Sequence, residues 1–299
     1  MHTPGTPPPV VLDIDGSVLP LGGERIIALR DWQEQLRFAC SHAGLRRFAA
    51  ALEQRMPARH GTVLLGSGDF HHLSYPLLRR LDARHTSQLV VLDNHPDNMR
   101  YPFGIHCGSW IGWAAALPHI SHVHVLGITS RDIGSAHAWE NRWRPLLSGR
   151  LTYWSTDVPV GWARKVGLGR GFRSFDSPGT LVEAFVDEQQ RRPQPTYLSI
   201  DKDVFAEEVA RTNWDQGRFR LAHALMVIDA LHEGGLVGSD ITGEVSQYRY
   251  HSRLKRLLSA MDGQPEVPVH ALRAWQGQQR AVNLRLLSAL AEVPDARPR

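Results

Sequence analysis

Short apolar runs separated by longer mixed stretches recur along the chain. Val10-Val11-Leu12, Thr62-Val63-Leu64-Leu65, Gln88 to Leu92, His122 to Leu126, Leu151 to Trp154, Thr196 to Ile200 and Gly235 to Ile241 are of strand length and rich in β-formers. Between them, apolar residues fall at helical spacing over residues 25 to 56 (Leu29, Trp32, Leu36, then Leu45, Phe48, Leu52), with a break expected at Gly44. Helices are also expected over Tyr75 to Asp82, before Leu117, weakly over Trp139 to Leu147, and over Leu181 to Gln190, Arg218 to Leu231, 249–261 and 268–291. Residues 157 to 180, rich in Gly, Arg and aromatics, read as an irregular loop. Continuous apolar strands alternating with helices predict a sheet covered on both faces. The expected fold is a single three-layer α/β/α domain with a mostly parallel sheet over residues 10–292, behind a flexible proline-rich lead-in at 1–9.

Three of the strands run directly into polar clusters. After Leu92 comes Asp93-Asn94-His95-Pro96-Asp97; side chains alternate along an extended chain, so Asp93, His95 and Asp97 can face one way. Pro96 favours extended geometry at His95. After Ile200 comes Asp201-Lys202-Asp203, again with acids two residues apart. Upstream, Leu65 leads into Gly66-Ser67-Gly68-Asp69-Phe70-His71-His72. Open α/β sheets bind ligands at the carboxyl ends of their strands. Carboxylates packed this densely require a cation, and carboxylate with imidazole suits Mn²⁺ or a similar divalent ion. His122 and His124 alternate within their strand, before its carboxyl end, and are expected to fill core or surface positions.

In order and spacing these clusters resemble the arginase and agmatinase ureohydrolases. The corresponding residues are Gly68-Asp69-Phe70-His71, Asp93-Asn94-His95-Pro96-Asp97, Ser199-Ile200-Asp201-Lys202-Asp203 and Leu236 to Glu244, so the resemblance covers roughly residues 60 to 250. It implies an arginase-like fold and a binuclear manganese hydrolase, two Mn²⁺ per chain, cleaving a C–N bond of a guanidino or amidino compound with a metal-bridging hydroxide. It assigns one ion to His71, Asp93, Asp97 and Asp201, and the second to His95 and Asp203, with Asp93 and Asp201 shared. It further implies His106 as proton shuttle and Glu244 as the anchor of the substrate's cation. The sequence also departs from the family pattern. Phe70 is inserted before the histidine, so His71 or His72 could be the ligand, with His71 favoured by register. Gly243 is an extra residue before Glu244. Arg100 stands where arginases carry the loop that reads the amino-acid end of arginine, and is expected to meet a substrate carboxylate.

Other readings remain open. Asp13-Ile14-Asp15-Gly16-Ser17 after the first strand resembles the nucleophile motif of haloacid dehalogenase phosphatases, with Ser67, Lys165 and Asp201/Asp203 as partners. A zinc deacetylase of the same fold would use two Asp and one His, which leaves His71 and Asp203 together unexplained. A non-catalytic binding protein is the third alternative. Lys+Arg number 34 against Asp+Glu 30, and the scattered arginine pairs look like solvated surface and not a nucleic-acid stripe. The two cysteines, Cys40 and Cys107, form no disulfide framework, which fits a reduced, cytoplasmic setting. The proline-rich start lacks the apolar core of a signal peptide, and no apolar run approaches membrane-spanning length. The expected partner is a small guanidino or amidino substrate, with no nucleic acid and no membrane; self-association into a homo-oligomer is left open.

Overall fold

A computed structural model describes residues 7–251, 255–256 and 267–291. Its strands are β1 (Val10–Asp13), β2 (Arg25–Ala28), β3 (Ala39–Cys40), β4 (Val63–Gly66), β5 (Ser87–Leu92), β6 (Ile105–His106), β7 (Ile120–Ile128), β8 (Leu151–Thr156), β9 (Phe172–Phe175), β10 (Thr196–Asp201) and β11 (Leu236–Thr242). Nine of them form one sheet in the order β2-β1-β4-β11-β10-β5-β7-β8-β9, with every pairing parallel. β3 and β6 make a separate antiparallel pair.

Among the described residues the four longest helices are α1 (His42–Arg55), α2 (Pro178–Arg191), α3 (Leu221–His232) and α4 (Val269–Ala291). The strand side chains alternate between two cores. Leu89 and Val91 face one, with Leu65, Val123 and Phe48 of α1. Val90 and Leu92 face the other, with Leu198, Ile200, Phe185 of α2, Val227 of α3 and Leu286 of α4. This two-sided burial is why β5 reads as an unbroken apolar run. Among the described residues, no helix is long and apolar enough to cross a membrane.

The topology places the site. From β5 the chain moves outward through β7, β8 and β9, then returns to insert β10 and β11 between β4 and β5. β5 and β10 are thus neighbours whose connections leave in opposite directions, the position where an open sheet leaves a crevice. Their register, Ser199 opposite Val91 and Ile200 opposite Leu92, brings Asp93 and Asp201 level at adjacent strand ends.

Several expected elements are corrected. Residues 25–28 form β2, not helix, and the interruption falls at Arg37–Ser41. Gly44 lies inside α1, whose N-terminus is capped by the Ser41 side chain accepting from the Gly44 N–H. The stretch 157–180 contains β9, an edge strand with only half-buried or exposed positions. The helix expected over 249–261 falls largely outside the described residues. His122 and His124 stay in the sheet: His122 bonds Thr152, and His124 Nδ1 accepts from Trp154 Nε1 at 3.2 Å.

Burial holds the His124 pKa well below 6.5, with the His122 and Arg173 charges acting the same way. The unfolded chain therefore takes up a proton as pH falls through about 6.5, while the folded chain refuses it, so stability drops on that side. Thermal denaturation from pH 7 to 5 should show a falling Tm, with a shallower fall in His124→Gln. Parallel pH profiles for the two proteins contradict this.

Candidate metal centre

Asp93 follows β5 directly, and its Oδ1 accepts the His95 N–H at 2.6 Å, which tightens the turn after the strand. Asp97 adopts a positive φ of 45° and so turns back toward the sheet, where Trp110 Nε1 donates to its Oδ2 at 2.7 Å. Asp201 ends β10 and caps the turn that follows, accepting the Asp203 N–H at 3.1 Å. From β4, the 3₁₀ turn Gly68–Leu73 carries Phe70 into the core and His71 into the cluster.

The two histidines stand in different settings. His71 Nδ1 lies 3.2 Å from Asp93 Oδ2, 2.9 Å from Asp97 Oδ2 and 3.4 Å from Asp201 Oδ2. His72 is fully buried with neither ring nitrogen hydrogen-bonded, and burial holds its pKa well below 6.5. Across the cluster, His95 Nδ1 is 2.9 Å from Asp203 Oδ2 and 3.6 Å from Asp93 Oδ1. Two sets of ligand atoms result, His71–Asp93–Asp97 and Asp93–His95–Asp203, each within coordinating reach of one centre and sharing Asp93.

The electrostatics fit a cation. Burial alone would push His71 down, but the adjoining carboxylates of Asp93, Asp97 and Asp201 raise its pKa well above 6.5. Burial and the Asp93 charge push Asp97 up to about 7; burial, offset in part by His71, leaves Asp201 at about 6. Burial and the charges of Asp201 and Asp93 raise Asp203 well above the usual range. Protons thus take up part of a negative charge that the protein does not otherwise balance. His71 Nδ1 and Asp93 Oδ2 are buried without a well-formed hydrogen bond, their lone pairs converging. Hard oxygens with imidazole are the donor set of Mn²⁺-type ions.

The cluster floors a cleft of about 260 Å³ lined also by Phe38, Met99, His106, Cys107, Asp132, Trp214 and Asp215. Phe38 stacks between His106 (5.9 Å) and Trp214 (6.4 Å), forming an aromatic wall. Asp132 engages no partner for its carboxylate among the described residues. Phe38, Asp132, Trp214 and Asp215 carry no motif signal; they arrive on loops that only the fold brings together.

Of three further residues expected at the site, two lie outside the cleft and one lines it. Glu244 does not line the cleft: its carboxylate is paired with the buried Lys202 ammonium and accepts from Asn283 Nδ2 at 2.6 Å. The extra Gly243 explains the local path. At φ 88° it passes so close to the metal strand that a Cβ would lie 2.5 Å from Asp201 Oδ1. Arg100 is outside the cleft, with Nε donating to the Asn141 carbonyl at 3.1 Å. His106 lines the cleft, but its Nδ1 accepts the Gly108 N–H at 3.1 Å, and burial pushes its pKa down to about 4. With Nδ1 accepting, the neutral ring carries its proton on Nε2. The phosphatase alternative gains no support: Asp13, ending β1, is paired with Arg30, Asp15 just beyond it is paired with the buried Arg37, and the sheet order separates β1 from β5 and β10.

No family model matches the chain. An uncharacterized protein of Thermotoga maritima is 30% identical over 193 residues, 64% of this chain; the chain spans about 62% of that relative's length. Among solved structures, the formimidoylglutamase from Bacillus subtilis superposes with TM-score 0.54 at 14% identity, covering 97% of this chain and 88% of that one. The arginase from Bacillus caldovelox gives 0.51 at 16% identity, covering 97% and 99%. A Trypanosoma cruzi formiminoglutamase variant with Mn²⁺ gives 0.50 at 13% identity, covering 92% and 76%. The chain has the arginase, or ureohydrolase, fold.

Proposed function

We propose that this protein is a binuclear metal hydrolase that cleaves a C–N bond of a guanidino or amidino compound. The observation that carries this reading is the sharing of Asp93 by two converging ligand sets at the floor of one cleft. His71, Asp93, Asp97 and Asp201 would hold one divalent ion, and His95, Asp203, Asp93 and Asp201 the other, most suitably Mn²⁺. When bound, such a pair supplies a water acidic enough to attack a delocalised, weakly electrophilic carbon near neutral pH.

The chain's own groups supply recognition. Glu244 is occupied by Lys202, so the substrate's cation falls to the free carboxylate of Asp132, with Asp215 adding negative charge at the same cleft. A flat amidinium also suits the aromatic wall of Phe38 and Trp214. His106 orients the substrate through its Nε2–H and leaves proton transfer to solvent.

The test is a screen of guanidino acids, agmatine-like amines and formimidoyl compounds, with urea and ammonia both quantified. Turnover of one such compound with release of an amine or ammonia is expected; a fully metallated protein that cleaves none of them contradicts the reading. With a substrate in hand, Asp132→Asn should raise KM roughly 10-fold with kcat little changed, as befits loss of one charge-assisted hydrogen bond. An unchanged KM removes Asp132 from recognition.

A further inference from the structure

The two histidines of the cluster are held from behind in different ways. His71 Nε2 lies 2.9 Å from Ser199 Oγ, and Ser199 donates to Asp240 Oδ1 at 2.7 Å. Asp240 is fully buried and also accepts from Ser74 Oγ at 3.0 Å and Tyr197 O–H at 2.8 Å. Every link stands on β10, β11 or the element next to them, sealed under the sheet end. With Nε2–H directed at Ser199, the Nδ1 lone pair faces Asp93, Asp97 and Asp201.

His95 uses the same tautomer logic with a different anchor. Its Nε2 lies 2.8 Å from Asp215 Oδ1, so that Nδ1 presents its lone pair to Asp203 and Asp93. Asp215 is 70% exposed and belongs to the loop between β10 and α3. That loop is nevertheless fixed at several points. The buried Asn94 donates to the Asp215 carbonyl at 3.0 Å and to Oδ2 at 3.2 Å, and its own Oδ1 accepts from Thr129. Asn213 exchanges hydrogen bonds with the backbone of Ser246, and the Gly217 N–H reaches the Asp203 carbonyl at 2.6 Å. A carboxylate held on a built loop and aimed at the far nitrogen of a ligand histidine fixes ring orientation and raises basicity at the metal-facing nitrogen.

We infer that Asp215 is a positioning residue for the second metal ion, acting through His95, and that this ion is the more weakly held of the two. The inference rests on the binuclear reading above. The first ion's histidine is braced by a buried hydroxyl–carboxylate relay, whereas the second ion's histidine is braced by one carboxylate open to water. Hydration competes for that carboxylate, and any shift of the loop releases His95.

The test is calorimetric titration of metal-free protein with Mn²⁺ alone, comparing wild type, Asp215→Ala and Ser199→Ala, with electron paramagnetic resonance at each stage. Wild type should bind in two unequal steps and end with an exchange-coupled pair. Asp215→Ala should lose about 10- to 100-fold in the weaker step only, show uncoupled Mn²⁺ where wild type shows the pair, and keep the metal-free Tm. Ser199→Ala should instead weaken the tighter step. If Asp215→Ala binds both ions as wild type does, or weakens both steps alike, the inference falls and the binuclear reading stands. If wild type takes up one ion or none, both fall together.

Discussion

Asp93→Ala should release both metal ions and lower kcat/KM about 10³-fold or more. Asp93 offers Oδ2 toward His71 and Oδ1 toward His95, and is the member shared by the two converging ligand sets. Losing it removes a ligand from each centre and one of the two bridging carboxylates between them. A binuclear pair lowers the barrier by several kcal/mol, and each 1.4 kcal/mol is a factor of about ten in rate. Asp97→Ala and Asp203→Ala should behave differently, each emptying mainly one side. Metal content by elemental analysis after gel filtration distinguishes these outcomes. An Asp93→Ala protein that keeps two ions contradicts the shared-ligand geometry.

The second large effect is on stability. Lys202 is 0% exposed and Glu244 2%, and their ion pair is completed by Asn283, whose Oδ1 accepts from Lys202 Nζ at 3.1 Å. Lys202→Met leaves the Glu244 carboxylate buried and unmatched, at a cost of about 3–5 kcal/mol. In a chain of this size that lowers Tm by roughly 10 °C. Glu244→Gln should be nearly as damaging, because it strands the ammonium. The double variant Lys202→Met/Glu244→Leu, with no uncompensated charge, should recover much of the loss. If Glu244 instead anchored substrate, Glu244→Gln would raise KM and leave Tm alone; that pattern contradicts the buried pair.

This case also shows where sequence patterns stop. The ends of β5 and β10 were legible because a strand's two-residue period puts Asp93, His95 and Asp97, or Asp201 and Asp203, on one side whatever the rest of the fold does. The apolar runs Val63–Leu65 of β4 and Leu89–Leu92 of β5 mark a sheet covered on both faces. The edge strands β2 and β9 lacked that signal because each is at best half covered, so Arg25–Ala28 passed for helix and Phe172–Phe175 for loop. Glu244 is illegible for a different reason: a carboxylate after a strand looks alike whether it faces a cleft or a lysine. Only the close passage of Gly243 against Asp201 and the buried position of Lys202 decide it. Asp132, Trp214 and Asp215 lie on loops whose convergence depends on the sheet order, so nothing local distinguishes them.

Anomalous diffraction from crystals grown with Mn²⁺ tests the paired site most directly. Two anomalous peaks about 3.5–4 Å apart are expected, with Asp93 and Asp201 between them and His71 and His95 on opposite sides. One peak, or none within the Asp93–Asp201 cluster, would contradict it.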